Sequence, residues 1–90
     1  MDMNDSDRFL KDIREKGYSA QEAAEKIGIS IEKLLHWQGF GIVRPKDVRR
    51  GKRKFSEYFE EDIRNATVIR LFMDRGYSLE RAMKRLGELS

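Results

Sequence analysis

The sequence predicts a mainly α-helical domain of the winged helix-turn-helix type: two short helices joined by a tight turn, a short β-wing, a following helix pair and an extra N-terminal helix. Three observations predict it. The stretch Tyr18 to Pro45, YSAQEAAEKIGISIEKLLHWQGFGIVRP, holds two serine-initiated helical patterns separated by Gly28. A cluster of cationic residues with a glycine at its centre follows at once. Beyond it, a helical pattern opens on Glu60, Glu61 and Asp62, and a second opens on Ser78.

Taken in order, the first element is a helix over about residues 6 to 16, with Asp5 or Ser6 as its cap and Phe9, Leu10 and Ile13 as a narrow apolar stripe. The chain therefore divides into an extra N-terminal segment, 1–17, and a domain, 18–90. Ser19 starts the next helix, because its hydroxyl can accept from free backbone N–H groups, and Glu22 three residues on completes a capping box. Ala20, Ala23, Ala24 and Ile27 form its core face, and Gly28 ends it at no steric cost in the left-handed region. Ser30 caps a second helix, Ser30–Gln38. There Ile31, Leu34 and Leu35 at i, i+3 and i+4 predict the buried face, which turns Glu32, Lys33, His36 and Trp37 outward. Two helices joined this tightly form a helix-turn-helix, whose second helix enters the major groove.

Ile42 and Val43 are expected to open a short strand, Gly51 to supply a turn, and Lys52 to Phe59 to return as the second strand of the wing, with Phe55 and Phe59 alternating with polar residues. Glu60, Glu61 and Asp62 put negative charge where a helix macrodipole favours it. That helix runs to about Arg75, with Ile63, Ala66, Ile69 or Arg70, and Met73 on one side. Gly76 ends it, and Ser78 caps a last helix carrying Leu79, Ala82, Met83 and Leu86. An internal echo between Phe9 to Gly28 and Val68 to Gly87, each a helix, a Gly-Tyr-Ser link and a helix, is read as convergence, since such links recur wherever two helices join.

Charge sharpens the functional reading. Between Arg44 and Lys54 seven cations face the single acid Asp47, a local charge of +6 in a chain whose total is +3. The positive charge is thus concentrated in the wing, where Arg44, Lys46, Arg49, Arg50, Lys52, Arg53 and Lys54 suit phosphate neutralisation and counterion release. The bland alternative is a solvated loop carrying charge for solubility.

At these residues the chain resembles a known family. Tyr18 to Pro45 is similar, without a gap, to the N-terminal DNA-binding domain of the MerR family of bacterial regulators, whose pattern is YTIGELAKATGVSVRTLRYYERIGLLRP. Tyr18, Glu22, Ala24, Gly28, Ser30, Leu34, Gly41, Arg44 and Pro45 are identical to it. After the wing, EEDIRNATVIRLFMDRGYSLERAMKRL resembles the family's EEDLxxLxFIxxLRxLGFSLEEIxxLL. The resemblance implies a MerR-like winged helix-turn-helix followed by a helix pair, and a function in DNA binding and transcription regulation. Leu35, His36 and Trp37 stand where the family commonly has Arg-Tyr-Tyr, whose aromatic positions contact DNA. His36 and Trp37 are therefore carried as contact candidates and Leu35 is not. The wing is longer than the pattern, because Phe55-Ser56 and Tyr58-Phe59 compete for its aromatic-Ser pair.

The expected DNA-binding set is completed by Lys33, for a base edge or a phosphate; Glu32, which would either read a cytosine or repel the backbone; Gln21, for a phosphate; and the cap residues Ser19 and Ser30. Trp37 has a second reading, as a core residue closing the space between helices. Ninety residues make one domain, with no cysteine and a single histidine, His36. No thiolate site, glycine-rich phosphate loop or catalytic constellation can be assembled, so neither an enzyme nor a metal or other cofactor is expected. No apolar run suits a signal peptide or membrane span, which makes the bacterial cytoplasm, at the nucleoid, the expected compartment.

Double-stranded DNA is the expected partner, with RNA polymerase or a regulator protein as further candidates. A homodimer is expected if a dimerisation helix like the family's lies beyond this chain. Both an excised DNA-binding domain and a minimal, excisionase-like architectural factor fit the sequence. The rival from another class is a protein-interaction module, built on the acidic N-terminal segment (Asp2, Asp5, Asp7) and the extra helix, and favoured by Leu35 and Glu32.

Overall fold

The computed structural model describes residues 17–89, so the helix expected over residues 6 to 16 lies outside the described residues. Helix α1 spans Ala20–Ile27 and α2 spans Ile31–Gly39. Both begin as the local sequence dictates. Ser19 Oγ accepts from the Glu22 N–H at 3.1 Å, and Glu22 Oε1 accepts from the Ser19 N–H at 3.1 Å, closing the reciprocal box. Ser30 Oγ accepts from the Lys33 N–H at 3.1 Å. Each cap contributes about 1 kcal/mol and together they set where the helices start.

The end of α2 corrects the strand expected at Ile42 and Val43. Phe40 caps the helix, and Gly41 turns left-handed with φ 78°. The Ile42 N–H then donates to Trp37 O at 3.2 Å and the Gly41 N–H to Gln38 O at 3.0 Å. This is a Schellman arrangement, in which the apolar residue after the glycine packs back on the helix. Ile42 and Val43 are consequently buried core residues rather than ladder residues. Their backbone groups serve the helix end.

The wing is an antiparallel ribbon of β1, Lys46–Arg50, and β2, Arg53–Glu57. Its register runs from Lys46 opposite Glu57, through Val48 opposite Phe55, to Arg50 opposite Arg53. Gly51 has φ 66°, while no described non-glycine residue has a positive φ, so Gly51 and Lys52 make the two-residue turn with glycine first that suits strand twist. The second strand is shorter than expected. Tyr58 leaves the ribbon to pair with Tyr18, its N–H donating to Tyr18 O at 2.8 Å while the Tyr18 N–H donates to Tyr58 O at 2.7 Å.

Helix α3, Glu60–Asp74, starts immediately after Phe59. Tyr58-Phe59 therefore holds the place of the aromatic-Ser pair, and Phe55-Ser56 belongs to the ribbon. Phe59 has no side-chain acceptor for a cap, so only half of a capping box forms: Asp62 Oδ2 accepts from the Phe59 N–H at 3.3 Å. Helix α4, Leu79–Leu89, is capped by Ser78, whose Oγ accepts from the Arg81 N–H at 3.2 Å.

One core joins these elements. Helix α1 packs on α2 and α3, and α3 packs on α4. Ala23, Ala24, Ala66 and Ala82 are buried, letting helices approach closely, while Ile27, Leu34, Trp37, Tyr58, Ile63 and Ile69 supply most of the apolar volume. Ala20 is only partly buried. On α2 the expected buried face is rotated. Leu34 is buried as predicted, but Ile31 and Leu35 are 44% and 53% exposed, and Trp37 is 1% exposed. Leu34 and Trp37 share a face at i, i+3, and turning that face inward buries the large indole rather than two aliphatic side chains.

Candidate nucleic-acid interface

The rotation of α2 decides what this helix offers. With Leu34 and Trp37 facing inward, the side chains it exposes are those of Ile31, Glu32, Lys33, Leu35 and His36. The outward placement expected for Glu32, Lys33 and His36 holds, and the outward placement of Trp37 does not. An indole this buried presents no surface to a nucleic acid and instead supports the helix from beneath. The Lys33 ammonium sits 5.8 Å from the Trp37 ring centroid, on the flank of α2 rather than beside Leu35. The His36 ring meets Phe40 edge-on, with centroids 4.9 Å apart. Ser19 and Ser30 spend their hydroxyls on the caps, and Gln21 is exposed in the first turn of α1.

The wing holds the rest of the expected set. Because residues directly opposite in an antiparallel ribbon share a face, Arg49 and Lys54 lie on one face with Asp47 and Ser56, and Arg53 lies on the other face, with Val48 and Phe55. Arg50 occupies the register position opposite Arg53, and Lys52 is in the turn. Asp47 is engaged by Ser56, whose hydroxyl donates to Asp47 Oδ1 at 3.4 Å. Among the described residues no carboxylate pairs with Arg49, Lys52, Arg53 or Lys54. Like charges directly opposite in a ribbon destabilise it, so the Arg49–Lys54 pair disfavours the wing in isolation and suits an external anion. Lys46 lies at the wing's base, its ammonium 5.5 Å from the Phe59 ring centroid.

Polar residues outside the expected DNA-binding set lock wing and helix together. Asp62 accepts from the Arg44 N–H through Oδ1 at 2.9 Å as well as from Phe59, tying the segment that enters the wing to the one that leaves it. Arg44 itself is exposed. Tyr58 is 1% exposed, and its hydroxyl donates to Gln38 Oε1 at 2.8 Å, fixing the last turn of α2 against the wing's base. Burial pushes the Tyr58 phenol above its ordinary range. Tyr18 donates to Glu60 Oε1 at 2.7 Å; that bond raises its pKa, so both phenols remain donors at neutral pH. Tyr58's place just before the acidic start of α3 was the available signal, but its hydroxyl's partner twenty residues away was not legible locally.

A second basic surface forms on α4. The Arg81 and Arg85 guanidiniums lie 5.6 and 6.0 Å from the Tyr77 ring centroid, with Lys84 alongside. Arg85 also pairs with Glu88 at 3.3 Å, which offsets part of this charge.

A helix-turn-helix with a basic ribbon beside its second helix defines the winged helix-turn-helix class of DNA-binding domains. Residues 18–89 match the family described as MerR HTH family regulatory protein. The chain belongs to that family, which is one of DNA-binding transcription regulators rather than enzymes. A search of curated proteins finds no match. Among the described residues no helix is long and apolar enough to cross a membrane.

Proposed function

We propose that this domain binds double-stranded DNA sequence-specifically, with α2 in the major groove and the wing on backbone phosphates. The observation that carries the proposal is the wing: four described cations without an acidic partner, on a ribbon whose base is tied to the end of α2 by the Tyr58–Gln38 hydrogen bond and to the start of α3 by Asp62. In this reading Arg44, Lys46, Arg49, Arg50, Lys52, Arg53 and Lys54 position the protein through phosphates, as does Gln21, while Glu32 accepts from a cytosine amine and His36 meets a base edge or sugar. Lys33, on the flank of α2, suits a phosphate better than a base. Arg81 and Lys84 add a second phosphate contact. Trp37 holds α2 in position.

The rival reading is a protein-interaction module, supported by the exposed Ile31, Leu35 and Phe40. Selection of the purified chain against a random duplex library, followed by titration of the winner and a scrambled duplex across a salt series, separates the two. Enrichment with a steep salt slope is expected. An inverted repeat would indicate a homodimer and a single half-site a monomer or an architectural factor. Neither enrichment nor salt-dependent binding would leave the interaction module.

A further inference from the structure

The exposed face of α2 has an unusual chemistry for a helix expected to read bases. It carries no arginine, asparagine or unengaged glutamine. Gln38 is partly buried and its carbonyl is held by the Tyr58 hydroxyl. The arginine fork that reads guanine and the amide pair that reads adenine are therefore missing from this face, and its one cation, Lys33, lies on the flank over Trp37. It has instead two aliphatic side chains one turn apart, Ile31 and Leu35, 44% and 53% exposed, with Glu32 between them in sequence. These occupy the first two turns of the helix, and in a helix-turn-helix the N-terminal residues of the recognition helix meet the base edges. A single exposed leucine is ordinary on a protein surface. A pair on this helix, beside a ribbon whose charge selects polyanions, suits a major groove, whose apolar feature is the thymine C5-methyl group.

We propose that Leu35, with Ile31, reads a thymine by packing on its C5-methyl group, and so is a specificity-determining residue of this domain. The inference rests on the DNA-binding reading above and commits to duplex DNA as the occupant of the Ile31–Leu35 strip. Contact with one methyl group is worth about 0.8 kcal/mol, and 1.4 kcal/mol is tenfold, so removing it weakens binding about fourfold. Phosphate contacts are untouched by that change.

The test uses the duplex selected by the full chain, with each thymine replaced in turn by deoxyuridine, which keeps the base pair and removes only the methyl group. Titrations are run with the unaltered chain and with Leu35→Ala, a substitution at an exposed position that introduces a better helix former. The expected result is one or two positions at which deoxyuridine costs the unaltered chain about fourfold and costs Leu35→Ala clearly less, the remainder belonging to Ile31. If binding is specific and salt-dependent but no thymine position responds, or Leu35→Ala responds equally, the methyl-reading role is overturned while the DNA-binding reading stands. If Leu35→Ala leaves every duplex affinity unchanged and instead abolishes self-association in sedimentation, the strip is a contact between copies and the inference fails. Absence of salt-dependent binding to any duplex removes both readings together.

Discussion

Replacing Arg49 and Lys54 together with glutamine tests the wing most directly, because the structure predicts opposite signs for binding and for stability. The two residues are directly opposite in the ribbon and share a face, with no acidic partner among the described residues. If each neutralises one phosphate, the slope of log K against log salt falls by about 1.8, since each contact contributes about 0.9. Between 50 and 200 mM salt, a fourfold change, the unaltered protein then loses about twelvefold more affinity than the variant. Loss should be similar on specific and scrambled duplexes, as phosphates carry no direct sequence information. In the free protein, removing a like-charged opposed pair should leave stability unchanged or raise it by about 0.2–1 kcal/mol. Fluorescence-anisotropy titrations across the salt series measure the slope, and denaturant unfolding measures stability. An unchanged slope would remove this face of the wing from the phosphate contacts. A large destabilisation would show that the cations hold the ribbon together, contrary to the geometry.

Two further outcomes follow from the core and its margin. Trp37→Ala empties a site that is 1% exposed and should destabilise the domain by about 3–5 kcal/mol in chemical denaturation; a loss below about 1 kcal/mol would contradict the inward placement of the indole. Tyr18 has a pKa raised above 10.0, chiefly by its bond to Glu60, so the stability from its protonated form is fully present below pH 10.0 and is lost as pH rises through the higher folded value. Tyr18→Phe should flatten the alkaline limb of the stability profile, and an unaltered alkaline limb would dismiss that bond as a contributor.

The helix boundaries were legible because capping is a matter of a few adjacent residues. Ser19 with Glu22, Ser30 and Ser78 act within one turn of their own positions. The basic wing was legible because charge density is a property of composition, and Gly51 marked its turn. Ile42 and Val43 were misread as strand because two apolar, β-branched residues after a helix suit both roles. Only the hydrogen bond from the Ile42 N–H back to Trp37 O decides between them. The aromatic-Ser register was open for a similar reason, as two aromatic residues three apart fit equally until Tyr58 pairs with Tyr18, forty residues away.

The sequence by itself determined the element order, the caps and the location of the charge, all of which depend on neighbouring residues or simple sums over them. Tertiary structure alone decided which side of α2 turns inward. The apolar residues Ile31, Leu34, Leu35 and Trp37 encircle much of that short helix, so its periodicity permits more than one buried face. The choice belongs to the partners across the core, α1 and the segment from Ile42 to Val43, which share one buried cluster with Leu34 and Trp37. That single rotation withdraws the tryptophan from the surface and presents Ile31 and Leu35 in its place.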